Sequence, residues 1–156
     1  MSGYPERYYA FLYLLAKLTR PFLVVELGTR EGYGALAFAE GGAQCVVTID
    51  ITPDFRTVQH ERVEFRLHDS LQVDLDLQGM DILFIDTDQQ GVHSGPRALQ
   101  EYQLWQGLVR PGGLVLFDDV TINESMQQFW QGFQPLRGEK LTLDVHGGCG
   151  MGLVLV

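Results

Sequence analysis

Four apolar runs along the chain finish on or beside a carboxylate: FLVVEL (22–27), CVVTID (45–50), DILFID (81–86) and LVLFDD (114–119). Unbroken stretches of this length, rich in β-branched residues, predict strands covered on both faces. VEFRL (63–67) alternates apolar and polar positions and predicts a further strand. ERYYAFLYLLAKLT (6–19) carries apolar side chains on several faces, as in a mostly buried helix, and Pro21 ends it. YGALAFAE (33–40) predicts a second helix, stopped at Gly41-Gly42. A third, PRALQEYQLWQGLV (96–109), has Pro96 in its first turn and is closed by RPGG (110–113); INESMQQFW (122–130) predicts a fourth. Too few residues separate LTLDV (141–145) from GLVLV (152–156) for a crossover helix, so these two strands predict an antiparallel hairpin.

Strands alternating with helices imply an α/β fold: a doubly wound, mostly parallel, Rossmann-like sheet of seven strands with a C-terminal antiparallel hairpin. The expected organisation is one compact domain over 1–156, an N-terminal helix (1–20) followed by a cofactor-binding sheet (22–156). Residues 51–62 contain Pro53 and are too few for a full crossover helix. Ligands of such sheets bind at the carboxyl ends of the strands, where Glu26, Asp50, Asp86 and the pair Asp118-Asp119 fall. Adjacent strand residues point to opposite faces, so only one of Asp118 and Asp119 is expected to face a pocket.

Charge narrows the ligands. Eleven Lys plus Arg against twenty Asp plus Glu leave a net charge of −9, with no basic stripe. That argues against a nucleic-acid partner and suits cationic ligands or metal ions. No apolar run approaches the roughly 18–20 residues of a membrane span, and no secretory signal pattern opens the chain. Cys45 and Cys149 have neither zinc nor disulfide-framework spacing. A cytoplasmic protein with reduced thiols, without a membrane partner, is the expectation.

Gly28, Gly32 and Gly34 follow the first strand. Each either permits positive φ or lets a ligand approach the backbone. The order ExGxxxGxG from Glu26 is wider than the GxGxxG turn that seats a pyrophosphate, which disfavours a nicotinamide-dependent oxidoreductase. It fits a ligand carrying an ammonium group. Asp50, at the next strand end, is placed to bind both hydroxyls of a ribose.

VVELGTREGYGALAFAE (24–40) resembles the first motif of class I S-adenosylmethionine-dependent methyltransferases, and VVTIDI (46–51) their second. DILFIDTD and LVRPGGLVLFDDV are similar to the fourth and fifth strands of the small-molecule O-methyltransferase branch, which includes the catechol and caffeoyl-CoA enzymes. The closing hairpin fits that resemblance too. It implies S-adenosylmethionine as cofactor, with Glu26, Gly28, Thr29, Arg30, Gly32, Gly34 and Asp86 near its methionine part. Asp50 and Ile51 would lie at the ribose, and Asp69 and Ser70 of HDSL (68–71) at the adenine.

In the catechol-type branch an acid after strand four and an acid-plus-amide pair after strand five hold a divalent ion. The matching positions are Asp86, Asp118 and Asp119, for Mg²⁺, Ca²⁺ or Mn²⁺. Two departures stand against it. Asp119 replaces the amide, and Gln89 and Gln90 stand where a lysine or histidine often follows the strand-four acid. The competing assignment gives Asp86 to the cofactor's ammonium and leaves Asp118-Asp119 as a solvated strand end. His93 is a candidate general base beside Asp86; a solvated loop histidine is the alternative. Trp105 has core spacing with Leu99, Tyr102 and Leu108, whereas Trp130 and Phe133 suit either core or substrate contact. Arg30 is suited to a carboxylate or to solvent, and His146 to a structural turn.

The resemblance implies methyl transfer to oxygen of a small-molecule or carbohydrate-like acceptor. Relatives usually carry more chain over the acceptor, so this site should be open, closed by a second subunit in a homodimer, or suited to a large acceptor such as a glycan. A cofactor-binding module without catalysis is the alternative from another class.

Overall fold

The computed structural model describes residues 6–53, 56–87, 93–144 and 149–156. Seven strands form one sheet: β1 (Leu23–Leu27), β2 (Cys45–Asp50), β3 (Val63–Leu67), β4 (Met80–Ile85), β5 (Val109–Phe117), β6 (Glu139–Leu143) and β7 (Met151–Leu155), in the order β3-β2-β1-β4-β5-β7-β6. The first five are parallel, β7 runs antiparallel to β5, and β6 pairs antiparallel with β7. This is the expected mostly parallel sheet with its terminal hairpin. Order reverses between β1 and β4, the position where such sheets open a ligand crevice.

Helices cover both faces. On one side α1 (Glu6–Thr19) and α2 (Tyr33–Gly41) bury Leu12, Ala16 and Phe38 against Val24, Val46, Ile82 and Leu116. On the other, α3 (Ser94–Trp105) and α4 (Glu124–Gly132) bury Tyr102, Trp105 and Trp130 against Val25, Leu83, Val115 and Phe117. Trp105, Trp130 and Phe133 are therefore core residues. Helix α1 is less buried than its all-round apolarity suggests. Tyr8, Leu12 and Ala16 face inward at helical spacing, while Leu14 and Leu18 are 54% and 83% exposed.

Two further boundaries differ from expectation. The third helix ends at Trp105, a short 3₁₀ turn (Gln106–Leu108) follows, and RPGG lies inside β5. Strand β5 gains this extra length through a register shift: Met80 pairs with Val109, but Ile82 already pairs with Leu114. Arg110 hydrogen-bonds Asp81, and Gly112, at φ 76°, donates its N–H to Val156. The glycine pair thus bends a strand rather than ending a helix. No helix forms among the described residues of 51–62. Also among the described residues, no helix is long and apolar enough to cross a membrane.

Candidate functional site

Alternation along the strands sets the site. Val24, Val46, Ile82 and Leu116 face α1 and α2. Counting on by twos puts Glu26, Thr48, Asp86 and Asp118 on that same side. The ladder continues past the strand ends, with Asp86 N–H donating to Leu27 and Asp118 N–H to Ile85. The carboxyls of neighbouring strands are thereby held side by side beneath the first turns of α1 and α2. They line a narrow crevice of about 40 Å³ with Tyr8, Tyr9, Gly32 and Gly34.

Glu26 is buried, and register places it beside Thr48. Thr48 Oγ1 donates to Glu26 Oε2 at 2.6 Å, and the hydroxyls of Thr29 and Thr48 lie 2.7 Å apart. Thr29, Thr48 and Glu26 thus form one buried hydrogen-bonded chain. Burial, opposed by the Thr48 hydrogen bond and reinforced by Asp50, pushes the Glu26 pKa up to about 8. Asp86 is raised well above the ordinary carboxyl range by burial, then by the charges of Asp118 and Glu26, and it hydrogen-bonds Asp118. Tyr8 Oη lies 3.5 Å from Asp86 Oδ2, and burial first, then Asp86, raises the phenol further.

The expectation for Asp118 and Asp119 is corrected. Both line the crevice, because β5 ends at Phe117 and Asp119 takes a left-handed φ of 54° that breaks the alternation. Among the described residues, however, no three His, Cys, Asp or Glu side chains are arranged to hold a metal ion. Asp86, Asp118 and Asp119 share the crevice, with Asp86 hydrogen-bonded to Asp118. The residues present do not fit the metal site that the sequence pattern implies.

The glycines answer to the protein itself. A Cβ on Gly28, at φ 95°, would stand 2.2 Å from the Asp86 carbonyl oxygen. One on Gly34 would stand 2.1 Å from Glu26 Oε1. Gly32 caps α2 at φ 86°. Gly32 and Gly34 do border the crevice; Gly28 is not among its lining residues.

Asp50 lies at the rim. Its Oδ2 accepts from the N–H groups of Thr29 and Arg30, and its Oδ1 from the N–H and hydroxyl of Thr52. Although burial opposes it, these hydrogen bonds lower the Asp50 pKa. Ile51 beside it is exposed. Arg30, at φ 45°, is exposed with Nε 3.9 Å from Glu31. Asp69 accepts from the N–H of Leu71, while Ser70 turns inward to hydrogen-bond Glu101 at 2.5 Å. His93 sits exposed at the start of α3 and is not among the residues lining the crevice. Gln89, Gln90 and His146 lie outside the described residues. Sequence reasoning missed Tyr8, Tyr9, Thr48 and Glu101. Strand parity could have found Thr48; for the tyrosines no local signal exists.

A larger groove of about 770 Å³ runs between α3 and α4 over Leu99, Phe129 and Phe133, but none of the acidic strand ends lines it. The chemistry belongs to the acidic crevice.

Residues 25–120 match the family model described as Methyltransferase domain. The chain belongs to this family. The methyltransferase also superimposes on solved structures at low sequence identity. A Geobacter sulfurreducens methyltransferase gives a TM-score of 0.74 at 23% identity, over 97% of this chain and 79% of that one. The SAH-bound Podospora anserina methyltransferase PaMTH1 gives 0.71 at 18%, over 95% and 77%. A Bacillus cereus O-methyltransferase in complex with SAH gives 0.67 at 20%, over 97% and 82%. No curated protein matches the methyltransferase in sequence.

Proposed function

We propose that the methyltransferase uses S-adenosylmethionine to methylate an oxygen of a small-molecule acceptor. The observation that carries this is the buried carboxyl group of Glu26, hydrogen-bonded to Thr48 and facing Asp86 and Asp118 in a crevice closed by tyrosines. Desolvated carboxyls gathered in one place favour a cation over any neutral or anionic ligand. S-Adenosylmethionine, when bound, supplies an ammonium group and an electrophilic sulfonium methyl.

The acidic crevice would face the ammonium group, and the adenosine part would lie along the open edge between Asp50 and Asp69. Asp50 accepts four hydrogen bonds, and the hydroxyl of Thr52 is the side-chain donor that a ribose hydroxyl would replace. Glu26 would release its proton to pair with an ammonium group. The hydrogen-bonded pair Asp86–Asp118 would accept the proton of an acceptor hydroxyl. Alignment of the two reactants supplies the rest of the rate. No step requires a metal, which the carboxyl arrangement does not fit.

Calorimetry with S-adenosylmethionine, in magnesium and then in chelator, with NAD as control, tests the assignment. Micromolar binding unchanged by chelator, followed by methyl transfer to hydroxylated acceptors, is the expected result. Binding of NAD instead would overturn it, and binding without transfer to any such acceptor would leave a cofactor-binding module.

A further inference from the structure

Glu101 lies on α3, outside the acidic crevice, and is fully buried. A carboxylate in that position needs partners, and every one it has belongs to the segments that follow β3 and β4 or to its own helix. Oε1 accepts from Ser70 Oγ at 2.5 Å and from Arg97 Nε at 3.1 Å; Oε2 accepts from Thr87 Oγ1 at 2.8 Å. Arg97 also donates to Ser70 Oγ at 2.9 Å and approaches Asp69 at 3.7 Å. Trp105 Nε1 donates to the Ser70 carbonyl at 2.6 Å.

The path of the chain gives this cluster its meaning. His68 N–H donates to the Asp50 carbonyl, at the end of β2. Two residues later Ser70 is fastened to α3, next to Thr87 at the end of β4. The segment 68–70 therefore crosses the carboxyl edge of the sheet from β2 to β4, passing over β1 where the strand order reverses. None of 68–70 lines the acidic crevice itself; the segment lies along the same sheet edge, tied to the Asp50 end of β2.

We infer that Glu101 is a positioning residue for the adenine end of the methyl donor: by holding Ser70 and Thr87 on its two oxygens, it fixes where Asp69 sits relative to the end of β4. This rests on the proposed use of S-adenosylmethionine. The Ser70 hydroxyl is then committed to Glu101, and base recognition falls to Asp69 and the backbone of 68–71. Glutamine at position 101 offers one acceptor atom where Glu101 has two, so Ser70 and Thr87 can no longer both donate to it and one hydroxyl must turn to accept.

The test compares binding of S-adenosylhomocysteine with its 6-oxo analogue S-inosylhomocysteine, in the unaltered protein, Glu101→Gln and Thr87→Val. Thr87→Val removes one tie while leaving the carboxylate its other partners, so it serves if Glu101→Gln does not fold. The unaltered protein should prefer the adenine compound at least tenfold, and each variant should lose most of that preference. A variant that loses thermal stability but keeps the preference would reduce Glu101 to a structural role and overturn the inference alone. Failure of the unaltered protein to bind S-adenosylhomocysteine would overturn the cofactor assignment and this inference with it.

Discussion

With its carboxyl buried against Thr48, Glu26 keeps a proton up to about pH 8 that an unfolded chain would release near 4.5. The folded state therefore binds more protons across that window, and stability falls as pH rises through it. Asp86, raised by the same burial, acts in the same direction. Urea denaturation of the ligand-free protein should show stability declining from about pH 5 to pH 8. Glu26→Gln should flatten part of the decline and stabilise the protein at pH 8 by on the order of 2–4 kcal/mol. Cofactor affinity should drop at least tenfold in the same variant. Calorimetric titrations at pH 7 in buffers of different ionisation heat should also detect proton release on S-adenosylmethionine binding, absent from Glu26→Gln. Gly34→Ala tests the packing of the same carboxyl. The added methyl meets Glu26 Oε1 and Phe84, and a loss of about 1–3 kcal/mol is expected from overpacking.

At the level of elements, what the sequence displayed best was strand content and the acids at the strand ends. Apolar runs and their terminal carboxylates lie within one chain segment, so Glu26, Asp50, Asp86 and Asp118 could be assigned to one edge without knowing the strand order. What joins them could not be seen. Thr48 meets Glu26 only through register, Asp119 joins Asp118 only through a left-handed residue, and Tyr8 arrives from a helix 78 positions before its partner Asp86. RPGG misled because a glycine pair after a helical pattern is also what a bent strand contains. Helix α4 starts on a local cap that the sequence reading did not use: Asn123 Oδ1 accepts from Met126 N–H at 2.9 Å. Asn123→Ala should cost about 1 kcal/mol in thermal or urea unfolding and leave cofactor affinity unchanged.

Across the whole molecule, the net charge of −9 gives the crevice a long-range counterpart. S-Adenosylmethionine carries one more positive charge than its demethylated product, so the field of the protein should favour the donor over the product. Raising ionic strength should weaken binding of S-adenosylmethionine more than that of S-adenosylhomocysteine, and titrations at two salt concentrations check this. The sheet order carries a different consequence. Strand β6 stands at the edge, and its one neighbour in the sheet, β7, follows it in the chain and also covers the flank of β5. As the polypeptide leaves the ribosome, β5 and β6 must wait with open flanks until residues 151–155 emerge to fill the gap. The five parallel strands can assemble earlier, but the two strands beyond β5 close in a single later insertion. A stall or premature stop between β6 and β7 would leave two bare strand edges, the state in which a chaperone has most to offer this protein.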